Sequence, residues 1–123
     1  MPDASARADT PWLVACLCAA WCRTCDAYAD TLRSVVAEFT AQGLAHAPRW
    51  IDIEDEADLV DELDIETFPT LVIYDDRQLR FAGPLTPQPE TLRRLLASLA
   101  ASSAAPAAAD PAFDTLVQRL RSA

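Results

Sequence analysis

All four cysteines of the chain lie between residues 16 and 25, and the last two are spaced Cys22-Arg23-Thr24-Cys25. A thiolate attacks a disulfide, and a second thiol three residues away can displace the resulting mixed disulfide, so such a pair moves two electrons at a time. The start of a helix suits the first sulfur, because unpaired backbone N–H groups and the helix dipole hold negative charge there. Cys-x-x-Cys at a strand-to-helix junction in a βαβ setting therefore reads as a redox motif. Arg23 adds a positive charge beside Cys22, which predicts a Cys22 pKa below that of a free thiol and a more oxidising disulfide. Against it stand nine carboxylates within residues 50–68, namely Asp52, Glu54, Asp55, Glu56, Asp58, Asp61, Glu62, Asp64 and Glu66, in a stretch from Arg49 to Arg77 with no basic residue between. With screening over about 8 Å at physiological salt, the adjacent arginine outweighs carboxylates farther away.

The elements that must hold this pair are legible on either side of it. Residues 12–18, Trp-Leu-Val-Ala-Cys-Leu-Cys, form an uncharged apolar run of strand length, as expected of a strand covered on both faces; extended, it points Cys16 and Cys18 to the same side. From Cys22 to Gln42, the residues Tyr28, Leu32, Val35, Val36 and Phe39 recur at helical spacing, and Gly43 supplies the left-handed residue that ends the helix. A second strand is expected over Trp50 to Ile53. A short acidic helix follows, N-capped by Asp55 and turning Leu59, Val60 and Leu63 inward. Thr70 to Tyr74 is a third strand and Leu79 to Ala82 a fourth, and the short turn at residues 75–78 forces them antiparallel. Thr86 with Pro87 reads as the start of a helix that buries Leu92, Leu95, Leu96 and Leu99. The fold class is α/β, order β-α-β-α-β-β-α, with a central four-stranded mixed sheet flanked by helices.

The organisation is a loose arm at residues 1–10, one domain at 11–100, an Ala-rich linker at 101–109 and an amphipathic C-terminal helix at 110–123 carrying Phe113, Leu116, Val117 and Leu120 on one face. That helix is open to three readings: docking on its own domain, docking on a partner, or staying mobile. At 123 residues with 51% apolar and 24% charged side chains, the chain has material for one core, and its composition excludes a disordered tail or a collagen-like repeat. A net charge of −9, with every basic residue an arginine, opposes binding to nucleic acid or to an anionic membrane. The longest apolar run is too short to span a bilayer, and the first residues lack a basic segment joined to an apolar one and a cleavage site; a cytoplasmic monomer is the expectation.

The segment Ala19-Ala20-Trp21-Cys22-Arg23-Thr24-Cys25, the strand end Ile51-Asp52-Ile53-Glu54, the Phe68-Pro69-Thr70 segment before a hairpin and Gly83 before the last domain helix together resemble the thioredoxin superfamily, over about Trp12 to Leu99. The chain looks like a short form without the extra N-terminal strand and helix. The resemblance implies a thiol–disulfide oxidoreductase with Cys22 as the attacking and Cys25 as the resolving thiol. Phe68, a cis Pro69 and Gly83 would line the groove for an extended substrate strand, with Trp21, Arg23 and Thr24 beside it. It also implies protein thiol and disulfide substrates, a thioredoxin-reductase-like electron donor and no cofactor. Between the cysteines this chain carries Arg23-Thr24 where the family usually has Gly-Pro. The family's buried Asp is replaced by Cys16, its nearby Trp by Cys18, and its partnering Lys aligns with Trp50. The family's proton relay to the resolving thiol is thus missing.

Cys16 and Cys18 admit two readings: small buried residues of a core strand, or auxiliary thiols facing the Cys22/Cys25 site. A direct bridge between them is disfavoured, because residues two apart in a strand have Cα atoms nearly 7 Å apart, marked about the limit for a disulfide. Four thiolates could hold Zn²⁺ or an iron–sulfur cluster, but Cys-x-Cys in a strand wraps a tetrahedron poorly, and no metal is expected. His46, the only histidine, reads as a solvated loop residue, and Trp12 and Trp50 as core candidates. Two further function classes stay open: a thioredoxin-like binding module with little turnover, and a Cys-cluster metal protein.

Overall fold

The computed structural model describes residues 11–19, 23–60, 69–75, 79–101 and 112–122, apart from the side chains of residues 59, 60, 112, 121 and 122. The arm at 1–10, Trp21, Cys22, Leu63, Phe68 and all but the first residue of the expected linker lie outside them. Four strands, β1 (Leu13–Cys18), β2 (Arg49–Asp52), β3 (Thr70–Tyr74) and β4 (Leu79–Pro84), form one sheet in the order β2-β1-β3-β4. Helices α1 (Arg23–Thr40), α2 (Ala57–Val60), α3 (Pro89–Ala101) and α4 (Ala112–Ser122) complete the described elements. β1 pairs parallel with β2, which requires the crossover that α1 supplies, and β3 runs antiparallel to both β1 and β4.

The apolar runs of β1 and β3 follow from their central positions, where both faces must be covered. Val14, Cys16 and Cys18 of β1, with Leu71 and Ile73 of β3, pack under Cys25, Tyr28, Leu32, Val35, Val36 and Phe39 of α1 and Leu92 and Leu96 of α3. On the opposite face Ala15, Leu17, Ile51, Val72 and Tyr74 pack under Leu116, Val117 and Leu120 of α4. The C-terminal helix therefore docks on its own sheet, closing a third layer; its Arg119 also donates to the carbonyl of Asp58 at 3.1 Å.

Several local expectations shift for identifiable reasons. α3 begins at Pro89, not at Pro87, because a residue preceding proline is pushed out of helical geometry and Gln88 precedes Pro89; Thr86 instead shares a hydroxyl hydrogen bond of 2.9 Å with Thr91. The turn before α2 is organised by Asp52 and not by Asp55: its Oδ1 accepts from the backbone N–H of Glu54 at 2.8 Å and of Asp55 at 3.2 Å. Trp12 is buried and packs at 6.2 Å from Phe39. Trp50, by contrast, is 38% exposed because β2 is an edge strand. Gly43, at φ +76°, does occupy the left-handed position that ends α1. Arg80 of β4, which the sequence pattern does not single out, is buried, pairs with Asp75 at 3.5 Å and donates to the Leu99 carbonyl near the end of α3 at 3.1 Å, where a cation suits the helix dipole.

Candidate active site

β1 ends at Cys18 and α1 begins at Arg23, so Cys22 directly precedes the helix in the sequence; it lies outside the described residues. Cys25 stands in the first turn of α1. It shares the buried stripe of Tyr28 and Leu32 by helical spacing, and it faces the side of β1 that carries Cys16 and Cys18. The consequence is a pairing the sequence reading did not make. Cys25 is joined to Cys18 in a disulfide, with Cα atoms 5.9 Å apart, whereas the resemblance pairs it with Cys22. That separation lies within the range a disulfide spans. Its signal was present in the sequence: Cys25 precedes Tyr28 by three residues and Leu32 by seven, which places it on the helix face that meets the sheet.

Cys16 and Cys18 do point to one side, and their sulfurs stand 3.6 Å apart without a bond. Because Cys18 is in a disulfide, it carries no hydrogen, and Cys16 is the donor of that S–H···S contact. Cys16, Cys18 and Cys25 have no exposed surface at all. Burial pushes the Cys16 thiol up to about 12 from an ordinary 9.0, so at neutral pH it is a neutral donor and not a nucleophile. Neither of the two readings for Cys16 and Cys18 excludes the other: both residues are core residues, and Cys18 is also chemically engaged.

Tyr28 closes the cluster. Its ring is buried, its hydroxyl has no hydrogen-bond partner among the described residues, and its pKa is raised first by burial and then by the neighbouring Cys16. An unpaired buried hydroxyl costs roughly 1–3 kcal/mol. Tyr28→Phe is therefore expected to raise the urea midpoint, with a gain of about 1 kcal/mol in unfolding free energy; a loss of stability would show that the hydroxyl is satisfied in solution. The two raised pKa values also set an alkaline limit. The unfolded chain releases the Cys16 proton near 9.0 while the folded chain holds it to about 12, so the folded state binds more protons across that window. Stability then falls as pH rises from 9, by up to ~1.4 kcal/mol per pH unit from Cys16 alone. Cys16→Ala is expected to flatten that slope in urea melts taken on both sides of the ordinary thiol pKa, while a slope equal to that of the native chain would contradict it.

The positions where the family keeps its proton relay are opposite each other across the sheet, since Cys16 is in register with Trp50. Neither supplies a carboxylate or an amine. Of the residues expected around the groove, Arg23 and Thr24 are exposed in the first turn of α1 and Pro69 is buried at the head of β3, where its carbonyl accepts from Leu85 N–H at 3.1 Å. Gly83 pairs with Leu71 within the β3–β4 ladder. Trp21 and Phe68 are outside the described residues. His46 is exposed in the loop before β2, as read from the sequence. Among the described residues no group of three or more His, Cys, Asp or Glu is placed to hold a metal ion, and none of their helices is long and apolar enough to cross a membrane.

A family model, thioredoxin, matches residues 3–97. The chain belongs to the thioredoxin family. Solved structures of other thioredoxins share the fold. The germline-specific thioredoxin Deadhead of Drosophila melanogaster is 21% identical, with 75% of this chain and 84% of that one covered at a TM-score of 0.62. The thioredoxin of Trypanosoma brucei brucei is 18% identical, with 76% and 79% covered and the same score of 0.62. The oxidised mitochondrial thioredoxin 3 of Saccharomyces cerevisiae is 21% identical, with 72% and 79% covered and a score of 0.56. No match is found among curated proteins. Membership makes the chain a thioredoxin-fold protein of a thiol–disulfide oxidoreductase family, with a four-stranded mixed sheet flanked by helices and a cysteine pair able to form a disulfide.

Proposed function

We propose that this thioredoxin-family chain reduces protein disulfides, with Cys22 as the attacking and Cys25 as the resolving sulfur. The observation that carries the reading is Cys25 itself: a sulfur with no exposed surface, in the first turn of α1, held in a disulfide with Cys18 and so placed to bond a neighbouring sulfur. A sulfur so buried cannot meet a visiting chain first; it can displace only a bond brought to it by another cysteine of the chain, and Cys22 precedes it by three residues. Arg23, exposed at the start of the same helix, favours the Cys22 thiolate. Extended substrates would lie against Trp21, Thr24, Phe68, Pro69 and Gly83. A cytoplasmic setting, in which thiols are kept reduced, favours the reductase direction, with electrons supplied by a thioredoxin-reductase-like donor to a monomeric protein.

A second reading, a binding module with little turnover, is favoured by the engagement of Cys25 with Cys18 and by the absence of a carboxylate at position 16. Turbidimetric reduction of insulin by dithiothreitol separates the two. Acceleration by the chain at catalytic amounts is expected; a rate equal to that of dithiothreitol alone would exclude the reductase.

A further inference from the structure

The cysteine cluster under α1 holds two sulfurs, Cys16 and Cys18, that the exchange just described does not use. Cys18 closes β1, Cys25 lies in the first turn of α1, and the two are bonded with their Cα atoms 5.9 Å apart, so the fold gives Cys25 an inner partner besides the Cys22 that the proposed function assigns to it. Cys16, one strand step farther in, directs its S–H at the Cys18 sulfur from 3.6 Å. All three are sealed from solvent.

We infer that Cys18 is a second resolving thiol, which moves the oxidised bond from Cys22–Cys25 to Cys18–Cys25 and returns Cys22 to the thiol state. The inference rests on the proposed function for its starting point, the Cys22–Cys25 disulfide left after a substrate disulfide has been reduced. In the step itself the Cys18 sulfur attacks the Cys25 sulfur; the Cys18–Cys25 bond forms and the Cys22–Cys25 bond breaks. The electron pair of the broken bond leaves on Cys22, and the proton given up by Cys18 is taken by Cys22. No electron enters or leaves, so no outside oxidant or reductant takes part. Cys16 is a positioning residue here. Its burial keeps it protonated, so its S–H is available to stabilise the negative charge that Cys18 carries at the moment of attack.

The consequence is an unusual oxidised form. An ordinary dithiol protein is inert as a nucleophile once its pair is oxidised. This chain, with the bond held in its core, again presents a thiol at position 22 but has no free resolving thiol beside it. A second disulfide-bearing chain attacked by Cys22 is then retained as a mixed disulfide until an external thiol releases it. The inner bond thus converts the protein from a turnover catalyst into one that captures disulfide-bearing chains, in step with the supply of reducing equivalents.

Peptide mapping of the full-length chain tests this directly. The fully reduced protein is mixed with oxidised glutathione, sampled over time, quenched in acid, alkylated and digested with chymotrypsin. Cleavage after Leu17, Trp21 and Tyr28 puts Cys18 in one peptide and Cys22 with Cys25 in the next. The expected course is an early internal disulfide within the peptide 22–28, replaced by that peptide cross-linked to the peptide 18–21 and carrying an alkyl group on Cys22. In Cys18→Ala the internal disulfide is expected to persist, and the oxidised protein loses the maleimide-reactive thiol that the oxidised native chain retains. If the native chain shows no cross-link between Cys18 and Cys25 at any time, the inference is overturned, whether or not the Cys22–Cys25 disulfide is present. The mapping needs no variant to fold. It is also independent of insulin turnover: cross-linking without turnover would remove the reductase and leave the inner exchange standing, and turnover without cross-linking would do the reverse.

Discussion

Replacing Cys22 by serine is expected to return insulin reduction to the rate of dithiothreitol alone. The reason is the placement of the other three sulfurs. Cys16, Cys18 and Cys25 have no exposed surface, so none can substitute for a lost outer thiol, and a serine oxygen forms no bond to sulfur that a second thiol could displace. The loss is therefore of the whole catalytic factor. Cys25→Ala is expected to behave differently: the first attack survives and the second does not, so substrate accumulates as a reductant-sensitive adduct on a non-reducing gel. Residual turnover in Cys22→Ser equal to that of the native chain would transfer the attack to another sulfur and remove the basis for the assignment.

Deleting the chain after Ala101 is expected to abolish cooperative unfolding. Leu116, Val117 and Leu120 of α4 are each at least nine-tenths buried, and burial of such side chains contributes roughly 1.5–3 kcal/mol apiece. Taken together this is of the same order as the entire stability of a domain this size, about 5–15 kcal/mol. The deletion would also uncover a contiguous apolar sheet face of Ala15, Leu17, Ile51, Val72 and Tyr74, a surface prone to self-association. A milder version, Leu116→Ala, is expected to cost roughly 2–5 kcal/mol in urea unfolding because it leaves a cavity between helix and sheet. A truncated chain that melts like the native one would show that α4 is an appendage and that the sheet face is covered otherwise.

The two results bear on different links of the same chain of causes. α4 covers one face of β1 and β3, and α1 with α3 covers the other. The sulfurs of Cys16, Cys18 and Cys25 sit on the α1 side, where burial suppresses ionisation of the Cys16 thiol. Loss of the opposite layer would loosen β1 itself and with it the spacing of Cys16, Cys18 and Cys25. Activity is thus expected to fall with stability in α4 variants, but through positioning of the sulfurs and not through loss of any one of them.

What the residues alone determined is what rests on periodicity and on turn length, while the starts of α2 and α3 shifted from their expected caps. Two apolar runs of strand length became the central strands because an uncharged β-branched and apolar run has nowhere to be except between two layers. The stripe from Tyr28 to Phe39 became the buried face of α1, and Gly43 ended it. The pairing direction of β3 and β4 followed from a turn too short for a crossover. Only the tertiary structure decided what lies across space from what. The strand-face alternation that put Cys16 and Cys18 together, and the helical spacing that put Cys25 on the inner stripe, were each visible, but their meeting depends on how α1 is laid over β1, a long-range packing choice that no local rule encodes. Trp50 was exposed by an edge position that appears only when the strands are ordered, Arg80 was buried by the approach of the end of α3, and the C-terminal helix found its own sheet because an apolar face of that size is stable only when covered.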